Sequence, residues 1–306
     1  MATPEQIVDG LNAVFGKQTP GVRAVHAKGI VLEGSFKACE AAALVCKAPH
    51  LQPESRVAAT IRVSDFAGIA NIPDTDPGAT PRGMAIRMQL ADGSETDIIG
   101  HSANGFPTAT VDEFYELVQA LAASGPNAQK PTPLDNFFGS HPNAKKFFEA
   151  LPPPPVSFAT ISFFGVNTFK FTNAEDTVTY GRYQIRPAAG DQSPAKEQIA
   201  SQGPNYLFDE IGARLAHSPV TFKLMLEIAE QGDDLNNPSI TWPESRRKVE
   251  LGTLEIKSVV PNGEAKAAEL LFNPTGLPAG IEPQDPMIAF RSAAYLVSFR
   301  RRTASK

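Results

Sequence analysis

The sequence predicts an α+β fold, in which eight antiparallel strands close into a β-barrel and helices pack around it. Segments that alternate apolar and polar residues recur at the spacing of a meander. Helical periodicity gathers mainly in insertions in the first half and at the C-terminal end. At 306 residues the chain has room for one large domain or two ordinary ones. The tetraproline at residues 152–155 is a stiff connector of the kind that joins domains. Strand patterns resume on both sides of it, so residues 1–306 read as one domain, with residues 1–20 carrying an N-terminal helix packed outside the barrel.

Thr3 and Pro4 supply an N-cap and a first-turn residue for a helix running to Phe15. Residues 22–38 alternate, carry Gly29 and Gly34 at positions suited to bends, and read as the first strand, with His26 inside it. A short Ala-rich helix follows and holds Cys39 and Cys46 on one face as free thiols. Residues 57–63 and 83–90 are strands divided by a long loop rich in Pro, Gly and Asp, and Ala91-Asp92-Gly93 turns the chain back into residues 95–100. Thr110 caps a helix over residues 111–123, and another is expected over 143–151. Strands are expected over residues 156–172, 177–186, 220–230 and 247–260, with helices over 206–215 and 291–302.

A net charge of −5 argues against nucleic-acid binding, which needs a basic surface. No run of apolar residues is long enough to span a membrane, and the first sixteen residues lack a basic segment followed by an apolar one, so the expected compartment is the cytoplasm. Nineteen phenylalanines against one tryptophan suit a large flat apolar ligand and an ordinary core equally.

Two places concentrate chemistry. Arg291 and Tyr295 lie four residues apart, on one face of a helix. A phenol beside a fixed cation ionises more readily, and a phenolate is a hard anionic oxygen that can ligate ferric iron. Of the five histidines, His50, His141 and His217 sit in loop or helix-end contexts and read as surface or capping residues. His26 is an isolated imidazole in an apolar stretch, with Arg23 before it and Lys28 after.

RAVHAKG at residues 23–29 resembles the RxxHAxG signature around the distal histidine of haem catalases, and RVS at 62–64 resembles their RFS segment. PRGMAIR at 81–87, followed by a hairpin and DIIG at 97–100, is similar to the family's RGFAVKF and DLVGN passage. The stretch from Phe272 through Gly280-Ile281-Glu282 to Arg291 and Tyr295 resembles its proximal block, in which a PPGIE-like turn leads into RLFAY. These matches keep the family's order over residues 20–302.

The resemblance implies haem b held inside the barrel. Tyr295 would be the proximal iron ligand, with Arg291 beside it; tyrosine ligation in catalase is a known pattern of haem proteins. Arg23, Arg62 and Arg302 match positions that pair with the haem propionates. His26 would pass a proton between the two oxygens of a bound peroxide, and Ser64 would orient its ring. Asn104, in Asn-Gly-Phe-Pro, matches a neutral donor that polarises the peroxide; without a three-residue gap that position falls on His101, the alternative.

Departures from the pattern carry information too. The chain lacks the long N-terminal arm of large catalases and everything beyond the proximal helix. Asn167 stands where the family has a histidine behind the proximal arginine, and Leu-Val-Ser-Phe-Arg-Arg-Arg replaces its His-rich tail. Less cover implies a wider route to the haem, as in the small catalase-related peroxidases that the chain resembles. Gly105, Phe106 and Phe114 are placed near that route, with core packing the other, and favoured, reading of the two phenylalanines. The implied activity is reduction of organic hydroperoxides or hydrogen peroxide by a small-molecule electron donor, with little dismutation, by a monomer or homodimer. An allene oxide synthase type of hydroperoxide isomerase, and a non-catalytic haem-binding barrel, are the alternatives.

Overall fold

In the computed structural model the described residues are 1–16 and 21–304, so part of the expected N-terminal segment, residues 17–20, lies outside them. In chain order the elements are α1 (Pro4–Val14), β1 (Gly29–Ala38), α2 (Glu40–Ala43), β2 (Arg56–Ser64), β3 (Gly83–Gln89), β4 (Glu95–His101), α3 (Val111–Ala123), α4 (Pro133–Ser140), α5 (Pro142–Glu149), β5 (Phe163–Phe164), β6 (Phe169–Thr172), β7 (Val178–Pro187), α6 (Lys196–Ala200), α7 (Tyr206–His217), β8 (Val220–Ile228), β9 (Lys248–Val259), α8 (Gly263–Glu269), β10 (Ile281–Pro283) and α9 (Met287–Thr303).

The sheet runs β5-β4-β3-β2-β1-β9-β8-β7, and β7 pairs back to β5, so eight antiparallel strands close a barrel. β6 continues along the same edge of β7 as β5, and β10 adds to β6. Among the described residues no helix is long and apolar enough to cross a membrane.

Register assigns the two faces of the barrel wall. Leu32, Ile61, Ile86 and Ile98 lie opposite one another across β1 to β4 and belong to the main apolar cluster. Phe36, Leu254 and Phe222 continue this face around the barrel, so it is the packed interior. The intervening rows face outward: Gly29, Ser64, Gly83 and His101 form one, and Val31, Arg62, Ala85 and Ile99 the next. The residues expected to meet haem therefore stand on the outside of the wall. The expectation of haem inside the barrel meets an interior whose rows are packed with apolar side chains.

α9 crosses above these outer rows, and α1 packs against it in a cluster of Val8 and Leu11 with Phe290, Ala294 and Val297, joined by Ala24 from the segment before β1. α1 has the expected capping box, in which Thr3 Oγ1 accepts from the Gln6 N–H and Gln6 accepts from the Thr3 N–H at 2.8 Å. Thr110 and Glu113 do the same for α3.

Several expected elements differ. Residues 22–28 are not strand: His26 has φ +56°, its N–H donates to Phe66 O at 2.6 Å, and Ala27 N–H donates to Ala67 O at 3.0 Å. The chain there pairs with the loop after β2 before entering β1. Residues 156–172 are broken into a short turn, β5 and β6, because Ser157 caps a turn at Phe158–Thr160 and the backbone leaves the ladder after Gly165, whose N–H still donates to Tyr183 O at 2.8 Å. The Ala-rich helix is only Glu40–Ala43; Cys39 and Cys46 flank it, and both are free. His50 is not at the surface but buried in the core near Phe36, its Nδ1 without a hydrogen-bond partner. His217 is exposed at the end of α7, and His141 stacks on Phe137 at 4.0 Å between α4 and α5.

Candidate active site

The outer rows of β1 to β4 form the floor of the site. Val31, Ala85 and Ile99 make an apolar patch on it, joined by Leu270 and Phe272 from the segment that leads to α9.

His26 is held over the floor by backbone geometry. A side chain at Gly83 would put a Cβ 2.7 Å from both Cε1 and Nδ1 of the His26 ring, so glycine is what lets the imidazole lie flat against the wall. Nδ1 lies 3.1 Å from Asp65 O and 3.0 Å from Ser64 Oγ. A carbonyl oxygen only accepts, so Nδ1 carries the proton and Nε2 is the bare nitrogen. Burial, then Arg62, His101 and Arg23, push the imidazole down to about 3, while the bond to Asp65 O acts the other way. The ring is therefore neutral over the ordinary pH range.

Behind His26 lies an ion network. Arg82 donates to Asp65 and to Asp74 O, and Lys28 donates to Asp74 Oδ1 at 2.5 Å, Ile72 O at 2.8 Å and Pro204 O at 2.9 Å. Asp74 also accepts from the Leu207 N–H at 2.7 Å, which ties α7 to the network. Burial raises the Asp65 carboxyl to about 7, against the pull of Arg82. Fixing the Asp65 side chain fixes the main-chain carbonyl that holds His26. Sequence patterns name neither Asp65 nor Asp74 for this task; the acid-rich loop was the one available signal.

Arg23, Arg62 and Arg302 converge at the other edge of the patch. Arg23 donates to Ala267 O at 2.6 Å and Leu270 O at 3.0 Å, Arg62 to Ala27 O at 3.2 Å, and Arg302 to Leu270 O at 2.7 Å. Burial and the charges of Arg62 and Arg302 push Arg23 well down, Arg62 falls to about 10 through burial and Arg302, and Arg302 to about 10 through burial. Among the described residues none of the three pairs with a carboxylate, and Nε of Arg62 and of Arg302 is buried without a partner. Guanidinium groups stay charged in proteins, so this is concentrated positive charge awaiting an anion. An apolar patch bordered by buried cations fits a flat ligand with carboxylates at one edge, as haem is.

α9 supplies the opposite wall. Arg291 Nη2 donates to Tyr295 OH at 2.9 Å, one turn along the helix, and Nη1 donates to Asn167 Oδ1. Asn167 Nδ2 in turn donates to Asp285 Oδ2 at 2.6 Å, and Asp285 Oδ1 accepts from Met287 N at the start of the helix. Burial holds the Asp285 carboxyl above its usual range, although Asn167, Met287, Arg182 and Arg291 all pull it down. Asp285 was missed in the sequence, where its place just before a Pro and a helix start is a readable cap signal.

His101 ends β4 directly opposite Gly83, on the outer face. Burial and Arg291 push its imidazole down to about 3. Asn104, three residues on, is exposed. The structure thus brings His26, Ser64, Arg23, Arg62, Arg291, Tyr295, Arg302 and His101 around one patch and leaves Asn104 outside it. Phe106 packs on Phe114 at 5.0 Å, near the same loop.

Known proteins resemble this chain in sequence and in fold. A catalase-related peroxidase of Mycolicibacterium paratuberculosis is 33% identical over 98% of this chain and 95% of its own length. One from Synechococcus elongatus is 30% identical over 98% of this chain and 89% of its own. The structure of a bacterial catalase superposes with a TM-score of 0.79 at 20% identity, over 93% of this chain; the chain spans 58% of the length of that structure. Since the profile of the Catalase family also matches residues 6–306, the chain belongs to that family.

Proposed function

We propose that the chain is a peroxidase that binds haem b on the outer face of β1 to β4, beneath α9, and reduces organic hydroperoxides or hydrogen peroxide with a small-molecule electron donor. One observation carries this reading: a neutral imidazole with a bare Nε2 and a phenol paired to a guanidinium border the same apolar patch, whose edge holds three guanidinium groups that, among the described residues, pair with no carboxylate. Tyr295 would ligate the iron, and Arg291 would stabilise the negative charge on its oxygen. Arg23, Arg62 and Arg302 would take the two propionates. Bound there, the haem would supply the electrons that split the O–O bond and recover them singly from the donor.

The protein's own part is proton management. His26 Nε2 takes the proton from one peroxide oxygen and returns it to the departing one, while Ser64 Oγ and Asp65 O hold the ring through Nδ1. In balance, one hydroperoxide and two donors, each giving up a hydrogen atom, yield one alcohol, one water and two donor radicals. The names of the relatives above favour peroxide over other oxidants. The test is an absorption spectrum of the purified protein, then dye oxidation against oxygen evolution with hydrogen peroxide. Ferric haem with tyrosinate ligation and dye oxidation in excess are expected; failure to take up haem overturns the reading, and so does dismutation far exceeding dye oxidation.

A further inference from the structure

Across β3 and β4, Gly83 and His101 are paired, and the space beside Gly83 is the one filled by the His26 ring. Side chains of directly opposed residues leave the sheet on the same face, so His101 and His26 are neighbours above one floor. The backbone then sets their protons. Ala103 N–H donates to His101 Nδ1 at 3.2 Å. A backbone N–H only donates, so His101 Nδ1 is bare and its ring proton sits on Nε2. In His26 the neighbour of Nδ1 is a carbonyl, which demands the opposite arrangement. Among the described residues, no protein group hydrogen-bonds Nε2 of either ring.

We infer that His101, and not Asn104, is the second group that meets the peroxide, and that the backbone fixes two unlike imidazoles: His26 offers a bare Nε2 that accepts a proton, and His101 offers an Nε2–H that donates a hydrogen bond.

The inference rests on the peroxidase reading and adds a division of labour to it. As peroxide enters, its O–H proton passes to His26 Nε2 and the bonding electron pair stays on the oxygen. His26 is then an imidazolium whose Nδ1–H still faces Asp65 O, so the ring need not turn. His101 steadies the negative charge without surrendering its proton, because its Nδ1 stays engaged by Ala103 N–H. The roles do not exchange, since each ring would have to break a backbone contact to do so. Low imidazole pKa values, about 3 for both, keep the pair neutral and therefore distinct before substrate arrives. An exposed Asn104 has no comparable anchor: it lies in the turn beyond β4.

The test is fluoride binding to the ferric haem protein, read by absorbance and expressed per bound haem, because bound fluoride depends on a nearby hydrogen-bond donor. His101→Leu is expected to weaken fluoride binding by about tenfold or more, and His101→Gln, which keeps an N–H donor, to stay within about threefold of the unaltered protein. Asn104→Ala should leave fluoride binding unchanged, and His26→Gln should retain fluoride but slow reaction with cumene hydroperoxide about 100-fold or more. Weakening by Asn104→Ala with normal binding in His101→Leu would overturn the inference, as would a His101→Gln protein no better than His101→Leu. One measurement needs no variant to fold: in the protein loaded with zinc protoporphyrin, long-range 1H–15N spectra should show one Nδ1–H and one Nε2–H histidine in contact with the porphyrin, and two alike would refute it. Absence of haem uptake by the unaltered protein sinks the peroxidase reading itself, whereas haem uptake with normal fluoride binding in His101→Leu sinks only the role of His101.

Discussion

The imidazole of His26 occupies the place a side chain at Gly83 would take, with Cε1 and Nδ1 each 2.7 Å from where a Cβ would stand. Gly83→Ala must therefore move the ring or the wall. The wall is a closed barrel with a packed interior, so the ring moves. Reaction with hydroperoxide is expected to fall about 100-fold, the usual effect of displacing a reacting group by about 1 Å. Haem absorption and thermal unfolding should change little, and stopped-flow kinetics beside a melting curve would check both.

Arg62 should have opposite effects on the protein with and without ligand. Without haem it is a buried cation facing Arg302 and Arg23, with Nε unpartnered. Arg62→Met relieves that repulsion and keeps the volume, so the haem-free protein is expected to melt at a higher temperature. Loss of a charge-assisted bond to a propionate should weaken haem retention roughly ten- to hundredfold. Calorimetry of the haem-free form and haem transfer to apomyoglobin would read the two signs separately.

Asn167 joins two charges that burial would otherwise leave facing each other unsatisfied. Its carbonyl accepts from Arg291 and its amide donates to Asp285. Asn167→Leu removes both bonds and is expected to cost about 1–3 kcal/mol in urea unfolding. Asn167→Asp is expected to cost more than Asn167→Leu at pH 7, because it sets a carboxylate against the Asp285 carboxylate. A leucine variant as stable as the parent would show that the bridge is not structural.

Acid should loosen the fold in a predictable direction. His26 and His101 lie at about 3 and His50 at about 4 in the folded chain, all lowered chiefly by burial. Unfolded, they take up protons near pH 6.5, at about the ordinary imidazole value. Between these limits the unfolded state holds more protons, so stability is full above about pH 6.5 and is lost as the pH falls toward 3–4. His50 stands apart from the site, near Phe36 in the core. His50→Leu should reduce the pH slope of stability between pH 4 and 6.5 by about one proton; urea unfolding of haem-free protein across that range decides it.

Much of this was legible before the fold was known. β2, β3 and β4 alternate cleanly and are punctuated by a hairpin, so their bounds fell within a residue or two of expectation, and the helix carrying Arg291 and Tyr295 was readable from spacing. What alternation does not reveal is which face turns inward when both are buried. Val31, Ala85 and Ile99 are apolar on the outer side because Ala267 of α8 and Leu270 and Phe272 of the segment after it pack on them, and the ligand was accordingly expected within the barrel. The segment around His26 read as strand because a left-handed residue leaves no mark in a hydrophobic pattern. Motif spacing favoured Asn104 over His101; only the pairing of His101 with Gly83 places the imidazole beside His26, and register is a property of two strands together.

That pairing divides β4 by parity. Ile98 feeds the interior, while Asp97, Ile99 and His101 feed the outer face, and Asp97 there takes a bidentate bond from Arg87 at 2.9 and 2.8 Å. Deleting a single residue from the tight turn at Asp92 and Gly93 would offset the whole strand by one. A carboxylate would then point into the barrel and Ile98 would move onto the outer face, with His101 carried to the wrong side of the wall. Neither loss could be repaired without the other, so an insertion or deletion in this hairpin should be far less forgiving than its surface position suggests.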